Sequence, residues 1–134
     1  MREIKFRAWD KKNKKMVWVL NIDWDHENIS ELFVSGKEHV SPEDFEIMQY
    51  TGLKDKNGID VYEGDVLKFS SDVEPGTFEL GKVCWYEKEA SFYVESENSE
   101  DHLDAFVNDI FRHEDNAEVI GDIYENPELL EVES

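Results

Sequence analysis

The sequence predicts a mainly β fold: a small barrel or curled sheet that one helix plugs, in a single domain over residues 1–134. About six to eight short segments have strand-like patterns, and one segment has helical periodicity. Strands do not alternate strictly with helices, which argues against a doubly wound parallel sheet. Apolar residues make up 40% of the chain, which is enough for one core and argues against wholesale disorder.

The first two strands are predicted to form a hairpin. Residues 2–9 alternate between apolar and polar side chains, the pattern of a half-buried strand. Residues 16–22 follow with Val17, Trp18 and Val19, which favour extended structure. The polar tip between them carries four lysines. Residues 21–44 are mixed, and we expect a loop there with one short helix or strand.

Turn signals dominate the middle of the chain. Residues 45–53 are strand-like, and the Asn57-Gly58 pair that follows predicts a tight hairpin whose two central residues both have positive φ. Gly64 and Asp65 precede an apolar strand at residues 66–69. In that position glycine makes a sharp turn, and the aspartate can cap free backbone N–H groups.

The second half predicts a further hairpin, from residues 78–86 and 91–95. Residues 103–111 then carry apolar side chains at i, i+3, i+4, i+7 and i+8, which predicts an amphipathic helix. Residues 117–124 are read as a last strand that Gly121 interrupts. Asn126 and Pro127 suit the cap and first position of one helical turn.

Three segments carry a family resemblance. The run from residue 48 to 58, continued by residues 61–66, resembles the signature of the YopX family of phage and prophage proteins. Residues 4–10 resemble the start of that family, and residues 119–130 resemble its end. The resemblance implies a mainly β pseudo-barrel capped by a helix. It carries no activity over to this chain, so it supplies fold and context only.

The family motif is the main candidate site, with its role unknown. Its side chains offer donors, acceptors and an aromatic face, but turn geometry alone also explains its glycines, asparagines and aspartates. We favour the structural interpretation. The motif residues are Gln49, Tyr50, Thr51, Gly52, Leu53, Asp55, Asn57, Gly58, Tyr62, Glu63, Gly64, Asp65, Gly121, Tyr124, Asn126 and Pro127.

The charge is large and uneven. The formal net charge is −19, with +5 in residues 1–15 and −24 in the rest. So acidic a body is not expected to bind a nucleic acid backbone directly. No uncharged apolar run approaches the length of a membrane span. Cys84 is the single cysteine, so it has no intrachain disulfide partner. We expect its thiol to be buried and inert. A chain without disulfides suits a reducing compartment, and the family resemblance implies the cytoplasm of a bacterial host.

Candidate chemical groups each have a plainer explanation. Asp23, Asp25, His26 and Glu27 could hold a cation, but their spacing matches no metal loop, and a solvated edge is favoured. The glycine of residues 55–60 stands at the wrong position for a calcium loop. His39, His102 and His113 are far apart in sequence. We therefore predict no catalytic residues, no metal and no cofactor.

Two other features could contact nucleic acid. Trp85, Tyr86, Phe92 and Tyr93 could stack on bases, but the segment has few basic groups and core packing explains it better. The lysines of the hairpin tip could touch a phosphate backbone, but they could equally neutralise the acidic body or solubilise the turn. We favour these last two roles.

The preferred function is a phage or prophage accessory protein that binds an unidentified host or phage protein without catalysis. The alternative is an acidic DNA mimic, in which rows of carboxylates occupy a DNA-binding protein. An enzyme would need a pocket where acid, His or Tyr groups converge. Exposed edge strands would make self-association easy.

Overall fold

The protein is built of antiparallel β-strands. A computed structural model describes residues 3–70, 76–96, 100–102 and 117–130. The strands in those residues are β1 Phe6–Asp10, β2 Lys15–Asp25, β3 Asn28–Val34, β4 Lys37–Val40, β5 Phe45–Lys54, β6 Asp60–Tyr62, β7 Asp65–Ser70, β8 Phe78–Tyr86, β9 Ser91–Ser96, β10 Glu100–His102 and β11 Ala117–Asp122. The prediction of a mainly β fold is confirmed.

Short 3₁₀ helices are the only helices in the described ranges, and they span Pro42–Asp44, Glu87–Glu89 and Pro127–Leu130. The helix predicted at residues 103–111 lies outside the described residues. No helix in the described part of the chain is long and apolar enough to cross a bilayer. The strand orders are β4-β3-β2-β1-β5-β6 and β10-β9-β8-β7-β11, so each sheet is open, with two edge strands.

The chain divides into two compact units, Met1–Tyr50 and Thr51–Ser134, with the boundary inside β5. The prediction of one domain over residues 1–134 stays a prediction. The core of the first unit lies on one face of its sheet, because β1, β2 and β5 are in a register that places Ala8 opposite Val17 and Ile47. The buried members of this core are Ala8, Val17, Leu32, Val34 and Phe45.

The expectation of a loop over residues 21–44 is wrong. β2 continues to Asp25, turns at His26 and Glu27, and pairs with β3, which in turn pairs with β4. Register shifts interrupt these pairings, one of them between Val19 and Asn21. An extra residue in one strand breaks the strict alternation of faces. The sequence of β2 and β3 therefore lacks the regular period-2 pattern that marks a strand.

The second unit has its own core, which side chains of β7, β8 and β9 form together with Val61 and Ala117. The predicted hairpin of residues 78–86 and 91–95 is confirmed, with Val83 opposite Val94. A Cβ atom on Gly81 would lie 2.5 Å from the Cγ1 atom of Val94, so glycine is required for the close approach of these strands. The buried core residues are Val61, Leu67, Phe69, Val83, Phe92, Val94 and Ala117.

The turn at Asn57-Gly58 differs from the two-residue hairpin that the sequence suggested. Strand β5 ends at Lys54 and β6 begins at Asp60, so the loop has five residues. Gly58 has a φ of +79°, whereas Asn57 does not have a positive φ. The longer loop forms because the carboxylate of Asp55 binds backbone N–H groups inside it.

Candidate functional site

The carboxylate of Asp55 organises the central family motif. Its Oδ1 atom accepts hydrogen bonds from the backbone N–H groups of Asn57 at 2.8 Å and Ile59 at 2.9 Å. Its Oδ2 atom accepts the N–H of Val119 at 2.9 Å, 64 positions away in sequence. Asp55 is 7% exposed. A carboxylate that accepts three N–H groups compensates the cost of its own burial.

The same loop covers one edge of the sheet of the second unit. Strand β11 is an edge strand in the order of that sheet, and its Ala117 carbonyl accepts the N–H of Lys56 at 3.1 Å. Together with the bond from Val119 to Asp55, this contact satisfies backbone groups that an edge strand otherwise presents to solvent or to another chain. The loop closes on itself through the bond from the N–H of Gly58 to the carbonyl of Asp55.

Thr51 fixes the strand that enters this loop. Its Oγ1 atom donates to the carbonyl of Val61 at 2.7 Å and accepts the N–H of Leu53 at 3.2 Å. Gly52 has a φ of +90°, a conformation that favours glycine. Leu53 packs against the core of the second unit. These three motif residues therefore stabilise the end of β5, its contact with β6 and its packing on the core.

Gln49 and Tyr50 belong to the first unit. Gln49 lies opposite Phe6 in the register of β1 and β5. Tyr50 is 4% exposed, and the ammonium of Lys5 lies 4.6 Å from the centre of its ring. The backbone N–H of Tyr50 donates to the carbonyl of Lys5 at 2.9 Å. The aromatic face of Tyr50 is thus occupied within the chain.

The second turn of the motif confirms the predicted role of Asp65. Its Oδ2 atom accepts the N–H of Tyr62 at 2.8 Å, and Asp65 is 1% exposed. Gly64 between them has a φ of +84°. The N–H of Gly64 donates to Val83, and its carbonyl accepts the N–H of Ile123, each at 2.9 Å. The turn therefore joins three segments of the second unit, and Glu63 lies half-buried within it.

The last motif segment repeats this construction. The Oδ1 atom of Asp122 accepts the N–H groups of Tyr124 and Glu125, at 2.9 and 2.8 Å. The Oδ1 atom of Asn126 accepts the N–H of Asp122 at 3.3 Å. The 3₁₀ helix Pro127–Leu130 follows, so the single helical turn with Pro127 at its first position is confirmed. The carbonyl of Asn126 accepts the N–H of Leu129, as the carbonyl of a cap residue does.

Gly121 lies closely against two side chains. A Cβ atom there would lie 2.5 Å from the Oδ1 atom of Asn126 and 2.9 Å from the Cδ1 atom of Leu129. Both distances are shorter than side chains tolerate. The pairing of β11 with β7 also shifts register between Val119 and Gly121, which is the interruption that the sequence suggested at this glycine.

Asp10 is a buried carboxylate of the same kind that the sequence reasoning missed. Its carboxylate accepts the N–H groups of Lys12 and Asn13, both at 3.1 Å, and the side-chain amide of Asn13 at 2.8 Å. Asp10 is 1% exposed. The available signal was an aspartate directly before a polar turn, where its carboxylate can bind the backbone two and three residues on.

The acidic segment at residues 23–27 is a solvent-exposed hairpin end. Asp23, Asp25, His26 and Glu27 are all exposed. Asp23 accepts a hydrogen bond from the side chain of Asn21, and the Nε2 atom of His26 lies 3.8 Å from Asp25. No group of three or more His, Cys, Asp or Glu side chains in the described ranges could hold a metal ion.

The separated histidines do not come together in the described residues. His39 lies 3.4 Å from Glu31 and meets the ring of Phe33 edge-on. His113 lies outside the described residues, and His102 is described through its backbone alone. Lys11 and Lys12 of the basic tip lie within 3.5 Å of Glu46 and 3.2 Å of Asp44, so half of the tip charge is balanced within the first unit.

Cys84 and Tyr93 face each other across β8 and β9. Burial is the main cause that raises the pKa of the Cys84 thiol, which keeps it in the less reactive, protonated form. Tyr93 donates to Glu95 at 3.2 Å, and its pKa is also raised, first by desolvation and then by the neighbouring Cys84. Neither group is activated as a nucleophile.

The suggested stacking residues are divided between core and surface. Phe92 belongs to the core of the second unit, and Trp85 meets it edge-on at 5.0 Å between ring centres. Trp85 is 42% exposed. The side chain of Tyr86 lies outside the description. Packing in and around the core accounts for the contact between Trp85 and Phe92.

Three large apolar side chains of β2 are solvent-exposed, and sequence reasoning did not single them out. We name them the β2 ridge: Trp18 at 58%, Leu20 at 68% and Trp24 at 60% exposure. The same strand buries Val17 and packs Val19 and Ile22 against the core. Residues of this type and size are usually buried, so the ridge is the described feature that departs furthest from the expected pattern.

The family and a solved structure agree with this architecture. The family model described as "YopX protein" matches residues 5–131. The crystal structure of protein EF1440 from Enterococcus faecalis is similar over 98% of this chain and 100% of its own, with a TM-score of 0.73 and 26% sequence identity. No curated protein matches the sequence. The chain belongs to the YopX family.

Proposed function

We propose that this chain is a non-catalytic accessory protein, encoded by a phage or prophage and active in the cytoplasm of the bacterial host, that works by binding another protein. One observation carries the proposal: the carboxylates of the family motif bind the chain's own backbone. Asp55, Asp65 and Asp122 all accept backbone N–H groups, and each is at most 7% exposed. The motif residues therefore stabilise the fold, and we assign the function to the surface of the folded chain.

The charge supports a basic partner. A net charge of −19 attracts a basic protein surface over distances of about one Debye length, ~8 Å at physiological salt. Such attraction mainly raises the association rate and selects against acidic partners. A DNA mimic would need ordered rows of exposed carboxylates. Four of the 33 acidic residues, Asp10, Asp55, Asp65 and Asp122, are buried and cannot contribute to such rows, so the net charge overstates the carboxylates that a mimic could use.

Affinity capture from a host lysate tests the proposal. Immobilised chain is compared with an unrelated acidic protein of similar net charge, at low and at high salt. We expect one or a few proteins to bind this chain and not the control, with weaker recovery at high salt because screening shortens the range of the attraction. Recovery of no partner specific to this chain in either condition would overturn the proposal.

A further inference from the structure

We propose that one edge of β2, at residues 20–25, binds an extended segment of another protein as an added antiparallel strand, and that this segment alternates apolar residues with Lys or Arg. This inference rests on the proposed function and names the surface and the chemistry of the partner. Strand β1 pairs with residues 15–18 of β2. Residues 20–25 have β3 on one side and no strand of the described ranges on the other, and five of the six are exposed. We name this side of residues 20–25 the open β2 edge.

The edge strands of the two sheets are short or covered, in contrast to the open β2 edge. Strands β4, β6 and β10 have only three or four residues each. Strand β11 is longer, but the loop of residues 55–59 binds its Ala117 carbonyl and its Val119 N–H. Short edge strands and covering loops are two ways in which proteins prevent pairing with another chain. The open β2 edge has neither of these protections.

The backbone groups of Ile22 and Trp24 point to the open β2 edge. The hydroxyl of Ser30 on β3 donates to the carbonyl of Asp23 at 3.1 Å, so the Asp23 carbonyl points towards β3. Successive residues of an antiparallel strand direct their backbone groups to opposite edges. Ile22 and Trp24, on either side of Asp23, therefore present N–H and carbonyl groups with which a further strand can pair.

The turn of the hairpin gives the same orientation. Residues 26 and 27 form its loop, and Asp25 lies opposite Asn28. The two residues that flank a two-residue loop exchange backbone hydrogen bonds, so the backbone groups of Asp25 point towards β3. Those of Asp23 point the same way, and those of Trp24, between the two aspartates, point outwards.

The side chains along the open β2 edge determine what a partner strand carries. Ile22 lies opposite the core residue Leu32, and Trp24, two positions further on, lies on the same face of the strand. Asp23 and Asp25 lie on the other face, and both are exposed. Side chains of neighbouring strands meet on each face, where apolar pairs and opposite charges stabilise the pairing. A strand that alternates apolar residues with Lys or Arg therefore matches both faces.

The charge of the open β2 edge disfavours a second copy of the chain as the partner. Two copies paired along this edge would bring Asp23 and Asp25 of both strands close together, and like charges on neighbouring strands are destabilising. Residues 16–36 contain four acidic residues and no Lys or Arg to compensate them. The charges therefore favour a different, basic segment.

Designed peptides test the strand addition. The probe is a labelled peptide of about eight residues that alternates Val and Lys, and its binding to the full chain is measured by fluorescence anisotropy at low salt. Two further peptides carry N-methyl groups, the first on every Val and the second on every Lys. Because the N–H groups of a strand alternate between its two edges, only one of the two methylated peptides loses the donors that face β2.

The two methylated peptides should therefore differ. We expect one of them to lose about tenfold or more in affinity and the other to stay within about threefold of the unmodified peptide. Equal affinities of the two methylated peptides, at any level, would show that charge or side-chain contact alone holds the probe and would overturn the strand addition. Failure of the unmodified peptide to bind would overturn it as well.

Variants of the chain locate the edge. Trp24→Pro removes the backbone N–H that faces the partner, whereas Trp24→Thr removes the same indole but keeps that N–H. Trp24→Pro should bind the probe at least about fivefold more weakly than Trp24→Thr does. The matched control is Phe78→Thr, because Phe78 is 61% exposed on a strand of the other unit, and it should bind as the unsubstituted chain does. Equal binding by the two Trp24 variants would overturn the assignment of the edge. If Trp24→Pro alters the circular dichroism spectrum, the methylated peptides decide.

The carboxylates are tested separately. Asp23→Asn together with Asp25→Asn should weaken binding at low salt and flatten its salt dependence, because the two changes remove the charges that face the lysines. An unchanged salt dependence would contradict the basic residues of the partner. Sedimentation covers the other occupant: a dimer of the unsubstituted chain that Trp24→Pro abolishes would assign the open β2 edge to self-association and overturn the proposal.

The proteins captured from lysate separate the proposed function from the proposed surface. If a captured partner binds the unsubstituted chain and the Trp24→Pro variant equally, the proposed function stands and the open β2 edge is the wrong surface. If Trp24→Pro fails to capture it while Trp24→Thr and Phe78→Thr still do, both are supported. If no protein is captured specifically, the proposed function fails, whatever the peptides do.

Discussion

The Asp55 loop of the second unit, residues 55–59, and the β2 ridge of the first unit differ in which kinds of side chain they bury. The loop buries a carboxylate and uses its oxygens on backbone N–H groups. The ridge leaves two tryptophans and a leucine in solvent. Elementary hydrophobicity predicts the reverse in both places. The difference separates a part of the chain that holds the fold from a part that leaves large apolar side chains exposed.

The largest effect is expected from the loop. Asp55→Ala removes the acceptor of three backbone N–H groups and leaves them unsatisfied near the core, so the free energy of unfolding should fall by about 3 kcal/mol or more. Urea denaturation measures the change. Asn57→Ala in the same loop is the control, because the Asn57 side chain is exposed, and it should change stability by less than about 0.5 kcal/mol. Similar losses for the two variants would contradict the role assigned to the carboxylate.

Gly121→Ala should rank second. Its Cβ atom would press on Asn126 and Leu129, and overpacking of this kind costs about 1–3 kcal/mol. Gly58→Ala meets no atom within 4 Å but keeps a φ of +79°, so it isolates the conformational cost, about 1 kcal/mol. The double variant Gly121→Ala, Asn126→Ala should be less destabilised than the sum of its single changes. Strict additivity in thermal unfolding would show that the contact with Asn126 is not the cause.

A smaller loss is expected at Thr51. Thr51→Val keeps the shape of the side chain but removes the hydroxyl that donates to Val61 and accepts from Leu53. The cost should be about 1–2 kcal/mol, since a buried carbonyl loses its donor. Thr51→Ser keeps the hydroxyl and should retain more of the stability than Thr51→Val does. The opposite order in urea denaturation would assign the role of Thr51 to its methyl group.

The smallest effect on stability is expected on the ridge. Trp24→Thr replaces a side chain that is 60% exposed and keeps the preference for strand, so the free energy of unfolding should change by less than about 0.5 kcal/mol. A large loss of stability would mean that Trp24 supports the fold, and the comparison between loop and ridge would no longer hold.

Local rules predicted much of the fold. Alternation located β1, and the Gly64-Asp65 pair located both a turn and the carboxylate that caps it. Local rules failed between residues 21 and 44, because register shifts break the alternation of β2 and β3. They also suggested a two-residue turn at Asn57-Gly58, since nothing in that pair shows that Asp55 will hold a longer loop.

The sequence by itself determined the class of the fold, the position of most turns and the membership of the YopX family, because strand periodicity, turn chemistry and a long motif are local properties. The tertiary structure alone decided two other matters. It brought the N–H of Val119 to Asp55 across 64 positions, and it left Trp18, Leu20 and Trp24 in solvent while Val17 on the same strand was buried. Both outcomes depend on which strands become neighbours, and side-chain burial follows from that pairing rather than from hydrophobicity alone.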